Sequence, residues 1–184
     1  DTKYNVIVMD LLSKSIEDYL TQCRRKLSVK TVLMIACQMI SALEFFHCKN
    51  HVHRDIKPDN FVMGRGKNAN KVYVIDYGLA SKFRDPMTHA HIPYAEGKPM
   101  TGTARYASIN ALLGHEQSRR DDLEALGYMF IYLLKGTLPW VGIDFASKEE
   151  KYKNIAKSKK ETPIEQLCSG IPEEFGQFLM AVRS

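Results

Sequence analysis

The amino-acid sequence predicts an α+β fold, a mainly helical domain with one small antiparallel hairpin. Three observations predict it. Residues 28–48 carry apolar side chains at a spacing of three and four, and 121–134 are apolar nearly throughout, so both read as helices, the second buried. Two short runs rich in β-branched and aromatic residues, Phe61-Val62-Met63 and Val72-Tyr73-Val74-Ile75, flank the turn-forming stretch Gly64-Arg65-Gly66-Lys67-Asn68, which reads as a hairpin. Residues 77–108 are rich in Gly, Pro, His and Thr and have no period; a loop that long in a compact domain is functional or disordered.

The elements follow in order. Tyr4 to Met9 is apolar and β-branched and predicts a buried strand. Ser15 to Arg25 predicts a short helix, with Ser15 and Asp18 spaced as a capping box. In the long helix from Ser28 to Cys48 the buried stripe is expected at Val32, Leu33, Ile35, Ala36, Met39, Ile40, Leu43 and Phe46. Asn50 to Asn60 is polar and contains Pro58, so it is expected as a loop. Further helices are expected at 147–158 and 172–183, with Ser147 as an N-cap and Pro172 near a first turn.

Composition narrows the classes. The chain has 184 residues, 45% hydrophobic and 26% charged, which suffices for the core of one domain, here 1–184. No stretch is expected to reach the roughly 20 apolar residues of a membrane span, and the N-terminus lacks the charged-then-apolar order of a signal peptide. Cys23, Cys37, Cys48 and Cys168 form no CxxC pair and read as reduced, buried thiols rather than metal ligands. The net charge of +5 permits an anionic partner. The run from Lys148 to Lys160 alternates with Glu and Tyr and reads as a solvated helix face. Nucleic acid has only that net charge as its warrant, since no aromatic–basic stripe occurs.

The chemistry concentrates in two motifs. His53-Arg54-Asp55-Ile56-Lys57-Pro58-Asp59-Asn60 lies in the polar loop, and Asp76-Tyr77-Gly78 follows the second hairpin strand, 21 residues after Asp55. They resemble the catalytic loop and the metal-binding D-F-G turn of protein kinases. Phosphoryl transfer asks for positioning and charge neutralisation. Asp55 would take the proton of the acceptor hydroxyl, and Lys57 would bring positive charge to the transferring group, as in serine/threonine kinases. Asn60 and Asp76 offer oxygen ligands to Mg²⁺. Thr103 matches the threonine that bonds this Asp and Lys, with a plain turn hydroxyl as the alternative. Asp59 reads as a loop cap and His53 as a packed structural residue. Asp122 is either an ordinary N-terminal helix carboxylate or, by resemblance, the anchor beneath the catalytic loop. Neither His89 nor His91 has a nucleophile partner, so hydrolase chemistry finds no support.

The activation segment narrows the resemblance. Gly102-Thr103-Ala104-Arg105-Tyr106-Ala107-Ser108-Ile109-Asn110 replaces the A-P-E ending of most kinases and resembles the casein kinase 1 family, as do Glu116 to Asp122 and Leu138-Pro139-Trp140. The resemblance runs from about Tyr4 to Ser184 and implies a protein-kinase-like fold with ATP and Mg²⁺ as cofactors. It implies Met9 as gatekeeper, the Leu12 backbone on adenine, Val62 beneath it, and Asp18 near the ribose unless it serves only its capping box. It also implies acidic or already phosphorylated protein substrates, with Lys98, Arg105, Arg54 (unless it only pins the activation segment) and Lys148 (unless it is plain solvated surface) as anion hosts, and an intracellular setting in cytoplasm or nucleus. Ser81, Ala95 and Asp144 stand where the family carries cations, which predicts a weaker acidic preference. Tyr77 replaces the usual Phe, and Ser13-Lys14-Ser15 the usual Gly-Pro-Ser. No Gly-rich phosphate loop and no strand Lys paired with a helix Glu occurs, so the chain is expected to be most of a catalytic lobe without its N-terminal lobe, and weakly active or inactive alone. The competing reading is a scaffold that uses the fold without the chemistry.

Overall fold

The stretch 121–134, predicted to be a buried helix, packs between two other helices. The computed structural model describes residues 4, 6–142 and 146–184. Its elements are α1 (Ile16–Gln22), α2 (Val29–Cys48), β1 (His51–Val52), β2 (Phe61–Met63), β3 (Val72–Val74), β4 (Ser81–Lys82), α3 (Ile109–Leu112), α4 (Arg119–Lys135), α5 (Lys148–Glu161), α6 (Ile164–Leu167) and α7 (Glu173–Arg183). From Asp121 to Leu134 every residue of α4 except Leu123 is buried. That helix packs on α2 on one side and α7 on the other. Leu126, Met129, Ile131 and Leu133 are fully enclosed, each stabilising the fold by roughly 1.5–3 kcal/mol.

Local chemistry explains the helix ends. Ser15 and Asp18 form the expected capping box at α1. Ser28 caps α2 and Ser147 caps α5 through their hydroxyls. α4 starts earlier than expected, because Ser118 and Asp121 form a second capping box. It ends at Gly136, whose φ of 79° is the left-handed cap that a side chain disfavours. α3 and α6, of four residues each, lie below the length at which periodicity is legible in the sequence.

The strands form two antiparallel pairs. β2 and β3 make the expected hairpin, with Phe61 opposite Val74 and Met63 opposite Val72. β1 and β4, unexpected, pair His51 with Lys82 and Val52 with Ser81 and tie the start of the 77–108 segment to the end of α2. That segment is otherwise irregular, as expected.

Several expectations are corrected. Tyr4 and Val6 to Met9 form no strand and are exposed, Val8 at 93%. An extended run needs a hydrogen-bonded neighbour to become a strand, and no strand pairs with it among the described residues. Asn5 of that run and Asp144 lie outside the described residues. Leu33 and Ile40 face outward on α2, while His47 turns inward. α2 is long and apolar enough to cross a membrane, contrary to the reading of composition, but its buried face packs on α4 as that of a core helix does. Of the four thiols only Cys168 is buried; Cys23, Cys37 and Cys48 are exposed.

Candidate active site

The loop between β1 and β2 is held from beneath by one buried carboxylate. Asp122, 2% exposed, accepts the backbone N–H of His53 at 2.8 Å and of Arg54 at 2.9 Å. Its Oδ2 is also 2.8 Å from the ring Nε2 of His47. Three partners satisfy an ion that could not otherwise be buried without a large penalty. They also hold Arg54 at a φ of 67°, where a side-chain-bearing residue is strained. His53 is fully buried, its Nε2 3.1 Å from the Ile75 carbonyl and its Nδ1 accepting the Asp55 N–H. It has the packed, loop-holding place expected of it.

So braced, the loop presents Asp55 between three donors. Lys57 Nζ is 2.7 Å from Asp55 Oδ2. The Thr103 hydroxyl donates to Oδ1 at 2.7 Å. Asn60 Nδ2 donates to the Asp55 carbonyl at 2.9 Å and to Oδ2 at 3.3 Å. Burial opposes ionisation of Asp55, but the bonds from Lys57, Thr103 and Asn60 and the Lys57 charge outweigh it and hold the carboxyl below its ordinary range. Burial likewise works against the Lys57 ammonium, but its bond to Asp55 and the charges of Asp55, Asp59 and Asp76 raise its pKa. Gly102, at φ 88°, lets Thr103 reach Asp55, since a Cβ there would run into the Arg54 carbonyl.

Asp76 is joined to this group through the backbone. The Ile75 N–H donates to the Asn60 carbonyl at 2.9 Å, so the two expected oxygen ligands flank one hydrogen bond. Asp76 has a φ of 63°, and its Oδ1 accepts the Gly78 N–H at 3.3 Å. Tyr77 stacks on Phe46 at 5.1 Å, lies 5.7 Å from the His53 ring, and donates its hydroxyl to the Val74 carbonyl at 2.9 Å. The ring keeps the packing of a Phe and the hydroxyl finds a partner; burial raises its pKa.

The expected nucleotide residues are placed unevenly. The chain after Leu12 is strapped to β2: Ser13 N–H donates to the Met63 carbonyl at 2.8 Å and Met63 N–H to the Lys14 carbonyl at 3.0 Å. Leu12 is half-buried beside this strap, and Val62 is buried and bridged to Ser15. Met9 is 69% exposed. Asp18 accepts the Ser15 N–H at 2.9 Å and its hydroxyl at 2.8 Å, and these bonds lower its pKa.

The expected anion hosts divide. Arg105 lines a cavity of about 500 Å³ beside Thr103, its guanidinium 5.3 Å from the Tyr132 ring centroid. Arg54 donates Nε to the Leu79 carbonyl at 2.7 Å, and Lys98 pairs with Glu116 at 2.8 Å. Lys148 does not line the cavity; Lys151 does, with Ile155, Glu17 and Asp59. Spacing alone does not separate the two, because Lys148, Lys151 and Ile155 stand at i, i+3 and i+7 on one face of α5; Lys151 is one turn nearer Ile155.

The sequence reading also missed His47, Asp121, Glu124 and Lys159. Asp121 accepts the Ser108 hydroxyl at 2.5 Å and the Ser118 N–H at 2.7 Å. Glu124 accepts the Tyr128 hydroxyl at 2.7 Å and the Ile109 N–H at 3.2 Å, with Arg183 Nε at 3.4 Å. Lys159, expected on a solvated face, is 1% exposed.

An ionised carboxylate flanked by a cation and a hydroxyl, with a second acid joined through the backbone, suits proton acceptance and charge neutralisation at one point. Residues 1–182 match the family model described as the protein kinase domain. That match covers nearly the whole chain, and the chain belongs to the protein kinase domain family.

Proposed function

We propose that this chain carries the catalytic residues of a serine/threonine protein kinase of casein kinase 1 type. The observation that carries the reading is Asp55 fixed between the Lys57 ammonium and the Thr103 hydroxyl, each at 2.7 Å. ATP with Mg²⁺ supplies the phosphoryl group when bound. Asn60 uses its amide N–H groups on Asp55, which leaves its oxygen for a cation, and Asp76 is the partner carboxylate. Mg²⁺ takes few protein ligands and keeps waters and substrate phosphates, so two oxygen donors suit it. Asp55, ionised at neutral pH, accepts the proton of a serine or threonine hydroxyl and orients it. Lys57 offsets the charge that develops between Asp55 and the transferring group. Leu12, Val62 and Asp18 are the nucleotide side of the site, with Met9 at its margin, and Asp122 is a support that touches no substrate.

The cavity beside Thr103 takes the acceptor peptide. Arg105 and Lys151 are its cations, and Glu17 and Asp59 share its lining, so acidic or phosphorylated substrates are favoured less than by an all-basic wall. An intracellular setting accompanies this reading. The test is phosphate transfer from Mg·ATP to casein by the full-length protein, followed by phosphoamino-acid analysis. Phosphoserine and phosphothreonine are expected, and Arg105→Gln is expected to raise KM for a phosphorylated peptide about tenfold. Phosphotyrosine as product would overturn the specificity; no transfer with no ATP binding would leave the scaffold reading.

A further inference from the structure

α5 is a lysine-rich helix with one lysine in the wrong environment. Lys148, Lys151, Lys153, Lys157 and Lys160 are exposed, as a solvated face requires. Lys159 is 1% exposed, on the inner stripe with Ile155 and Ala156. Burying an amine is costly unless its nitrogen is satisfied, and an apolar residue would fill the same space. The residue type is explained by what the nitrogen touches. Lys159 Nζ donates to the Ala107 carbonyl at 2.5 Å and is 3.4 Å from the Ala104 carbonyl. It lies 4.2 Å from the Tyr128 ring centroid and 4.9 Å from that of Trp140. Burial drives its pKa well below the ordinary value, with the Glu124 charge working against that. Two acceptors need two N–H bonds, and an amine supplies them whether or not it is protonated.

These carbonyls belong to the segment on which Arg105 stands. Trp140 Nε1 donates to the carbonyl between them, that of Arg105, at 2.8 Å. The carbonyls of Ala104, Arg105 and Ala107 are thus all held by buried donors, and the same short segment, with Arg105, walls the cavity. α5 is itself fixed, since Arg183 donates to the Lys159 carbonyl at 2.9 Å.

We propose that Lys159 is a positioning residue for peptide recognition: with Trp140, it clamps the carbonyls of Ala104, Arg105 and Ala107 and so sets the cavity wall that presents Arg105. This rests on the reading of the cavity as the peptide site. Lys159 does not touch substrate; it acts through the backbone of the wall.

The test compares full-length wild type with Lys159→Met, which keeps an unbranched side chain one atom shorter and removes both donated bonds, and with Trp140→Phe, which keeps a ring and removes one. An acidic peptide and ATP are varied separately, and amide hydrogen exchange is followed at Tyr106 and Ala107, both bonded to the Thr103 carbonyl at 3.0 Å. Lys159→Met is expected to raise KM for the peptide about tenfold, with kcat and KM for ATP within about twofold, and to speed exchange at those amides. Trp140→Phe is expected to act in the same direction, more weakly, and decides the matter if Lys159→Met does not fold. An unchanged peptide KM, a fall in kcat at constant KM, or faster exchange spread through α4 would overturn the proposal. If wild type phosphorylates no peptide, the reading of the cavity fails with it, and the exchange rates still tell whether the clamp exists.

Discussion

Replacing Asp122 should separate two degrees of damage to the loop that carries Asp55. The carboxylate is buried and has three partners, two N–H groups on its two oxygens and the His47 ring. Asp122→Ala leaves them all without a partner in a site closed to water. Each lost bond to a charged group is worth about 1.5–3 kcal/mol, and removing one side of a buried ionic set costs about 3–5 kcal/mol. Asp122→Asn keeps one oxygen. That oxygen does most by staying where Oδ2 is, on His53 N–H and His47, which turns the amide nitrogen toward Arg54 N–H. One bond is then lost at a residue held at φ 67°, costing about 2–3 kcal/mol with the backbone no longer restrained. Urea unfolding of both variants, with exchange of the His53 and Arg54 amides, measures this. Asp122→Asn is expected to cost about half as much as Asp122→Ala and to speed exchange at Arg54 more than at His53. Equal costs, or a loss under about 1 kcal/mol for Asp122→Ala, would refute the reasoning.

Further outcomes follow from the same geometry. Thr103→Val removes one of the bonds that lower the Asp55 pKa. A carboxylate with a depressed folded-state pKa stabilises the protein above its unfolded value, about 3.9, and that stability is lost as pH falls through the lower folded value. The variant should therefore be less stable at neutral pH and lose less stability on acidification, the loss starting at the same unfolded-state value but ending at a higher pH, and it should lose about tenfold or more in kcat as Asp55 loses its orientation. Gly102→Ala drives a Cβ into the Arg54 carbonyl and should abolish activity, with thermal unfolding lowered. Tyr77→Phe removes only the bond to the Val74 carbonyl and keeps the stack on Phe46; denaturant melts should show a cost of about 0.5–1.5 kcal/mol.

Features written in adjacent residues were legible in the sequence. The capping box of α1, most of the stripe of α2, the buried axis of α4 and the hairpin all depend on spacings of two to four residues. The Asp55 constellation was legible because its loop is a contiguous motif, although its bond to Thr103 spans 48 residues. What was missed depends on distant pairing. Nothing near His47 tells that it meets Asp122, 75 residues on. The pairing of β1 with β4 rests on two residues per strand, too few for a pattern. Tyr4 to Met9 has the composition of a strand, but composition does not supply the neighbour a strand requires. Lys159 was hidden by reading 148–160 as a charge run. Read at a spacing of four, Ile155 and Lys159 fall on one face, and the apolar Ile155 marks that face as inward.

The most direct test of the central claim is the rate of γ-phosphate transfer from Mg·ATP to casein by the full-length protein and by Asp55→Asn, with ATP affinity measured in parallel. The geometry around Asp55 predicts a fall in kcat of about 10²–10⁴ with ATP affinity nearly unchanged. Equal rates in the two proteins would contradict it, because Asp55 could then be neither the proton acceptor nor the group that orients the hydroxyl.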